Sequence, residues 1–151
     1  MMIPFEFRTD GPNNRWWIMG QWHVQPDRTK LETWDDYPDS QPSISLDFAY
    51  LNGHYYLNPV YMAIPPTIDN VIEIQPDQWL KIKVDITWSQ GDDGKMSLWI
   101  NDNKSPHIIY NGPNMLNAYQ HYFKVGMYRH PKIKTENTIN LKQLHISKTN
   151  N

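Results

Sequence analysis

The stretch KIKVDITW, residues 81–88, decides the fold of this chain. Apolar side chains at Ile82, Val84, Ile86 and Trp88 alternate with polar ones. A period of two is that of a β-strand, in which neighbouring side chains point to opposite faces of the sheet. The stretch therefore predicts a strand with one buried and one solvated face, as is typical of antiparallel sheets.

Alternation of this kind recurs along the 151 residues, between turns marked by 12 prolines and 7 glycines. Asn52-Gly53 predicts a two-residue type I′ hairpin turn. The other predicted strands lie at residues 5–8, 15–24, 44–50, 55–57, 96–100, 122–128 and 140–146. About nine short strands at this spacing predict an all-β antiparallel sandwich or jelly roll, in a single domain over residues 1–151.

Composition excludes several classes of protein. The net charge is -2, with 14 basic and 16 acidic residues that are scattered along the chain, so we expect no nucleic-acid and no membrane partner. The absence of cysteine excludes disulfides, thiolate metal sites and a cysteine nucleophile. The first residues lack the features of a signal peptide, and no apolar stretch approaches the ~20 residues that span a bilayer.

The stretch RWWIMGQWH, residues 15–23, places an amide and an imidazole two residues apart on a predicted strand. Gln21 and His23 therefore share a face, with Trp17 and Met19 on it by the same parity, opposite a more apolar face. Two interpretations stay open: an exposed polar pair on a solvated sheet, or two groups that touch a ligand. The 7 Trp and 9 Tyr residues fit either a β-sheet core or a surface that binds sugar rings.

A second stretch, YFKVGMYRH at residues 122–130, follows the same logic. Tyr122, Lys124, Gly126 and Tyr128 share one face of the predicted strand, and the other face is apolar. The glycine removes a side chain where a ligand can approach closely. Taken alone, this face is also consistent with a solvated surface that carries a snorkelling lysine.

Together the two stretches resemble polysaccharide lyases that have a concanavalin-like β-jelly-roll fold. Alginate lyases of this type carry a Gln-x-His motif, here Gln21-Trp22-His23, and a late strand of the form Tyr-Phe-Lys-Ala-Gly-x-Tyr, here residues 122–128. The Gly-x-Tyr-Arg ending and the hairpin ITWSQGDDGKMSLWIND at residues 86–102 resemble the glucuronan lyase and heparin lyase I-like groups still more closely. The resemblance extends from about residue 17 to residue 146.

The same families have an earlier strand with an Arg-x-Glu-type motif, whose arginine helps to bind the substrate carboxylate. We find no such strand in this sequence. The resemblance therefore implies either a jelly roll that is truncated at its N-terminus or a member that has lost this strand.

The resemblance implies β-elimination on a uronate-containing acidic polysaccharide, with glucuronan as the first expectation and alginate and glycosaminoglycans next. Gln21, His23 and Lys124 would neutralise the uronate carboxylate, and Tyr128 would act as base and acid, with His23 as the second candidate base. Because a free tyrosine titrates near ~10, such a base needs cationic neighbours. The further candidate substrate-binding residues are Trp17, Tyr122 and Arg129.

We expect no metal and no organic cofactor. Asp92 and Asp93 lack the alternating oxygen ligands of a calcium loop, and Glu32, Asp35 and Asp36 do not form the carboxylate pair that a glycosidase aims across a groove. A monomer is expected. A location outside the cell or in the periplasm is expected as well, because the implied substrate is a polymer. The alternative is a non-catalytic carbohydrate-binding module, or an inactive fragment, of the same fold.

Overall fold

The computed structural model describes residues 1–2, 16–37, 41–62 and 70–148. The strands in this part of the chain are β1 (Trp17–His23), β2 (Ile44–Leu51), β3 (His54–Tyr61), β4 (Ile72–Ile74), β5 (Ile82–Thr87), β6 (Lys95–Ile100), β7 (Ile108–Asn111) and β8 (Tyr122–Arg129). They form a five-stranded antiparallel sheet in the order β4-β3-β2-β1-β8 and a three-stranded one in the order β5-β6-β7. The predicted all-β antiparallel sandwich is thereby confirmed.

One hydrophobic core lies between the two sheets. Trp17, Phe48 and Leu57 of the larger sheet pack in the same buried cluster as Leu98 and Ile108 of the smaller sheet. The ring of Trp17 meets the ring of Phe48 edge to face, with 5.1 Å between centroids. Burial of these side chains stabilises the fold by about 25 cal/mol for each Å² of apolar surface removed from water.

The strand that residues 81–88 predict is confirmed as β5, between Ile82 and Thr87. Ile82 and Val84 pack against the core cluster. Lys83 lies on the outer face, where its Nζ is 2.9 Å from the carboxylate of Asp85. The period of two thus separates the core side of this strand from its solvent side.

The predicted hairpin turn is also confirmed. Asn52 and Gly53 join β2 to β3 with φ angles of 52° and 90°. A type I′ turn requires positive φ at both central residues, which asparagine tolerates and glycine adopts freely. Leu51 then pairs with His54, and the register of the two long strands is set by the turn.

A β-bulge in β1 makes one prediction from parity wrong. Between Ile18 and Gly20, β1 advances by two residues where β2 advances by one, so that Met19 is inserted relative to β2. At the same place β8 advances by three residues, from Val125 to Tyr128, and so contains an extra residue relative to β1. A bulge reverses the face of every residue on one side of it. Trp17 therefore lies on the core side, 0% exposed, and not on the face of Gln21 as predicted.

The predicted C-terminal strand at residues 140–146 is wrong as well. Asn140 forms an isolated bridge with Met2, and residues 141–148 are irregular and exposed. Leu141 and Leu144 are three residues apart, so they cannot share a face of a strand, and Leu144 is 63% exposed. The predicted strand at residues 5–8 lies outside the described residues, and the short strands β4 and β7 were not predicted.

No helix among the described residues is long and apolar enough to cross a membrane. Single 3-10 turns lie at Arg28–Lys30 and Trp34–Asp36.

Gly94 offers a test of how closely the hairpin between β5 and β6 packs against the chain after β7. A Cβ atom at Gly94 would lie 2.1 Å from the backbone carbonyl oxygen of Gly112, whereas a Cβ at Gly91 would approach Asp93 Oδ1 at 3.3 Å. We expect Gly94→Ala to lower the free energy of unfolding by about 2 kcal/mol because the backbone must shift. Urea denaturation measures this, with Gly91→Ala as the control. Equal stability of the two variants would contradict the packing described.

Candidate functional site

An open groove of about 900 Å³ lies on the outer face of the five-stranded sheet, opposite the core. Four strands, β3, β2, β1 and β8, form its floor, which is therefore ~14 Å across three strand spacings. The side chains that line it include Trp16, Ile18, Gln21, His23, Ser45, Asp47, Val60, Lys124 and Tyr128. The groove is wide enough for an extended ligand rather than a single small molecule.

The central position of β1 brings the two sequence motifs together. β1 is hydrogen-bonded to β2 on one side and to β8 on the other. Gln21 lies opposite Lys124, and His23 lies opposite Tyr122. Directly opposed residues of an antiparallel pair share a face, with Cβ atoms about 5 Å apart. The five predicted site residues on the groove face are Gln21, His23, Tyr122, Lys124 and Tyr128.

Two predicted substrate-binding residues, Trp17 and Arg129, do not reach the groove. They oppose each other on the core side of the sheet. The Nη1 atom of Arg129 donates a hydrogen bond of 2.6 Å to the carbonyl of Thr135, away from Tyr128. The bulge gives the groove position to the preceding residue instead: Trp16 lines the groove, with its ring 4.8 Å from that of Tyr128.

Gln21 presents an amide oxygen that no hydrogen bond from the described residues satisfies. The residue is 6% exposed, and its Oε1 atom has no hydrogen-bond partner among the described residues. A buried amide oxygen without a partner destabilises the folded state by about 1–3 kcal/mol. Such a group is typical of a binding site, where a ligand completes its hydrogen bonds.

His23 has a defined tautomer. Its Nδ1 atom lies 2.8 Å from the carbonyl oxygen of Val24, and because a carbonyl only accepts, Nδ1 carries the hydrogen. In the neutral ring the lone pair is then on Nε2. Tyr122 stacks on one side of the ring at 5.8 Å, and Trp34 meets it edge to face at 6.0 Å. These contacts fix the orientation of a ring that is able to accept or donate a proton at Nε2.

Lys124 and Tyr128 supply a cation and a phenol on the same face of β8. Lys124 Nζ lies 4.9 Å from the centre of the Tyr122 ring, and no carboxylate of the described residues is within 4.0 Å of it. Tyr128 is 59% exposed, so its phenol is accessible to a ligand. The lysine charge is therefore free to neutralise a bound anion.

Asp47 is a groove residue that the sequence motifs did not single out. It lies on β2 opposite Ile18, and it accepts a hydrogen bond of 2.6 Å from Ser45 Oγ. Burial raises the pKa of Asp47 to about 6, and the bond from Ser45 opposes this rise. The alternation of β2 places position 47 on the polar face, but a sequence does not show that this face is the floor of a groove.

Trp34 is the second residue that sequence reasoning missed, and it lies on a loop that is held by hydrogen bonds to Glu32. The carboxylate of Glu32 accepts hydrogen bonds from the Asp27 backbone N–H at 2.8 Å, the Tyr37 hydroxyl at 2.8 Å and Asn117 Nδ2 at 3.1 Å. Trp34, 45% exposed, is held by this loop against His23. Glu32 is thus a structural group, and an exposed indole borders the His23 end of the groove.

In the part of the chain that the structure describes, no three His, Asp or Glu side chains are grouped closely enough to hold a metal ion. His54 lies 2.7 Å from Glu73 at the far end of β3. His121 contacts Ser43 Oγ at 2.6 Å and stacks on Trp88. Burial, and to a smaller extent the charge of His23, lower the pKa of His121 to about 4, so it is neutral at pH 7.

The unfavourable burial of Asp47 predicts a pH-dependent stability. Its folded pKa of about 6 lies above the ordinary value of 3.8, so the ionised group destabilises the fold by about 3 kcal/mol at most. This effect is complete above pH 6 and disappears as the pH falls to 3.8. We therefore expect Asp47→Asn to be more stable than the wild type at pH 8 and equally stable at pH 4, in urea denaturation at both values. A stability difference that does not change with pH would contradict this account.

Comparison with known proteins gave one family. The family model described as polysaccharide lyase matches residues 2–149, nearly the whole chain. No curated protein and no solved structure matches the chain significantly.

Proposed function

The chain belongs to the polysaccharide lyase family, and from this membership and the groove we propose that it cleaves a uronate-containing acidic polysaccharide by β-elimination. The observation that carries the proposal is the meeting of four groups on one face of the sheet. Gln21 and His23 come from β1, and Lys124 and Tyr128 come from β8. Each has a role that this reaction requires.

The first requirement is to stabilise negative charge. Removal of the C5 proton of a uronate places charge next to a carboxylate that is already anionic. An amide donor from Gln21 and the ammonium of Lys124, which lie opposite each other, bind this carboxylate and stabilise the enolate that develops. The position of Gln21 directly opposite Lys124, and the absence of an ion pair of Lys124 within the described part of the chain, support this assignment.

The second requirement is proton transfer. The base takes the C5 proton, the C4–O bond breaks as the C4–C5 double bond forms, and the leaving oxygen receives a proton. We assign both transfers to Tyr128, which is exposed in the groove. His23 is the second candidate for the base, because the lone pair of its neutral ring is on Nε2.

The substrate would lie along the groove as an extended chain. The indole rings of Trp16 and Trp34 border the groove near Tyr128 and near His23, where they offer flat apolar surfaces to sugar rings. Glucuronan, alginate and glycosaminoglycans are the candidate polymers. A polymeric substrate also implies that the protein works outside the cell or in the periplasm. We further propose that it acts as a monomer and that the reaction needs no cofactor.

A non-catalytic carbohydrate-binding module of the same fold is the second candidate function. The observation in its favour is that no arginine is among the described residues that line the groove, since Arg129 faces the core side. Such a module would bind the acidic polymers and leave them intact.

Tyr128→Phe separates these functions. The C4–C5 double bond of the product absorbs ultraviolet light, so the absorbance of mixtures with glucuronan, alginate and heparin reports elimination. We expect the wild type to raise the absorbance with at least one polymer and Tyr128→Phe to lower the rate at least 100-fold, because proton transfer is lost. Tyr56→Phe is the control: Tyr56 lies on the same sheet face, opposite Ala49, but outside the groove. A flat trace for a wild type that binds the polymers would establish the binding module.

Trp34 and Trp79 provide a matched pair for substrate binding, since they are 45% and 44% exposed. Trp34 borders the groove, whereas Trp79 lies under Lys142 Nζ, 4.1 Å from its ring centre. We expect Trp34→Ala to weaken binding of the cleaved polymer about tenfold, by loss of ring stacking, and Trp79→Ala to leave it unchanged. Affinity electrophoresis measures both. Equal effects of the two substitutions would exclude Trp34 from the binding surface.

A further inference from the structure

Asp47 is the one acidic side chain among the described residues that line the groove, although the proposed substrate is itself acidic. It lies on β2 between Ile18 of β1 and Asn58 of β3. Tyr128 of β8 lies opposite Ile18 on its other side. Asp47 and Tyr128 therefore share one row of side chains across the sheet. An anion at this position repels a polyanion, so its presence in the floor needs an explanation.

No cation compensates this carboxyl group. In the described part of the chain, no Lys, Arg or His nitrogen forms an ion pair with Asp47. Ser45 Oγ donates a hydrogen bond to its Oδ1 atom, and a carboxylate has about four acceptor sites, so acceptor capacity remains. Lys124 lies two strands away and one row further along, at a backbone separation of ~12 Å. The fold keeps a destabilising group in its groove, which is typical of a residue retained for function.

The row that contains Asp47 is next to the one that would hold the uronate. Gln21 and Lys124 oppose each other one row further along β1 and β8, at a distance of ~7 Å along the strands. With the uronate carboxylate at Gln21 and the scissile oxygen at Tyr128, the sugar joined through that oxygen extends over the row from Tyr128 to Asp47. Asp47 then faces this neighbouring sugar and not the uronate itself.

We propose, resting on the proposed function, that Asp47 selects the sugar that is joined to the uronate through the scissile oxygen. The selected sugar is one without an acidic group. Asp47 accepts a hydrogen bond from a hydroxyl or N–H of that sugar and repels a carboxylate or sulfate, and the repulsion is strong because the group is partly removed from water. Asn58, whose buried Oδ1 atom has no partner among the described residues, places a second acceptor in the same row.

The inference narrows the substrate class and departs from the first expectation of glucuronan. A homopolymer of uronate has a carboxylate on every sugar unit, including the unit that lies over Asp47. A polymer in which each uronate is joined to a neutral or N-acetylated amino sugar avoids this repulsion and supplies hydroxyl and N–H donors there. The preferred substrate is of this alternating type.

Two polymers of glucuronate test the selection. Glucuronan is a homopolymer of glucuronate, whereas heparosan alternates glucuronate with N-acetylglucosamine. The initial rate of absorbance gives kcat/KM on each for the wild type, for Asp47→Asn and for Asp85→Asn, whose aspartate lies exposed on the outer face of β5. We expect the wild type and Asp85→Asn to prefer heparosan, and Asp47→Asn to lower this preference at least tenfold at pH 8.

A second pH isolates the charge of Asp47. The other titratable groups that line the groove are His23 on β1 and Lys124 and Tyr128 on β8, and they act on both polymers, so the ratio of the two kcat/KM values reports Asp47. At pH 5 the wild-type carboxyl is mostly protonated, and its preference should approach that of Asp47→Asn.

The outcomes separate the inference from the proposed function. A wild type that prefers glucuronan, or an Asp47→Asn preference within twofold of the wild type at pH 8, would overturn the selection by Asp47. If the wild type cleaves none of the four polymers glucuronan, heparosan, alginate and heparin, the lyase proposal itself would be overturned instead. In that case, affinity electrophoresis tests the selection by binding alone. The ratio of the retardation by heparosan to that by glucuronan is compared between the wild type and Asp47→Asn. A difference within twofold would overturn the selection by Asp47.

Discussion

The bulge at Met19 is the constraint on which the candidate site depends. Without it, a strict period of two would place Trp17 on the same face as Gln21 and His23. The inserted residue lets one strand bury Trp17 against Phe48 and still direct Gln21 and His23 to the opposite face. An aromatic contact of the core and the polar groups of the groove are thus joined in the seven residues of β1.

The groove contains polar groups that the fold leaves unsatisfied. Within the described part of the chain, the Gln21 amide oxygen has no hydrogen-bond partner and the Asp47 carboxyl forms no ion pair. Each lowers the free energy of unfolding, whereas in the loop around Glu32 three hydrogen bonds satisfy the carboxylate. Proteins keep such groups where a ligand completes the interactions, which is why the groove and not the loop is the candidate site.

Much of this arrangement was predictable from local patterns. The alternation in residues 81–88, the Asn52-Gly53 turn and the polar faces of the two motifs follow from the two-residue period and from turn chemistry, which neighbouring residues determine. The predictions failed where distant parts of the chain decide the outcome. The bulge depends on the pairing of β1 with two other strands. Residues 141–148 contain apolar side chains but do not pair with either sheet.

The sequence by itself determined the class of fold, the family and the residue types of the site, because these are properties of patterns along the chain. Only the tertiary structure decided that Trp16, not Trp17, lines the groove, that Arg129 points away from it and that Asp47 and Trp34 belong beside it. The physical reason is that a β-sheet joins residues far apart in sequence. Which of them become neighbours is fixed by strand order and register, which no local pattern specifies.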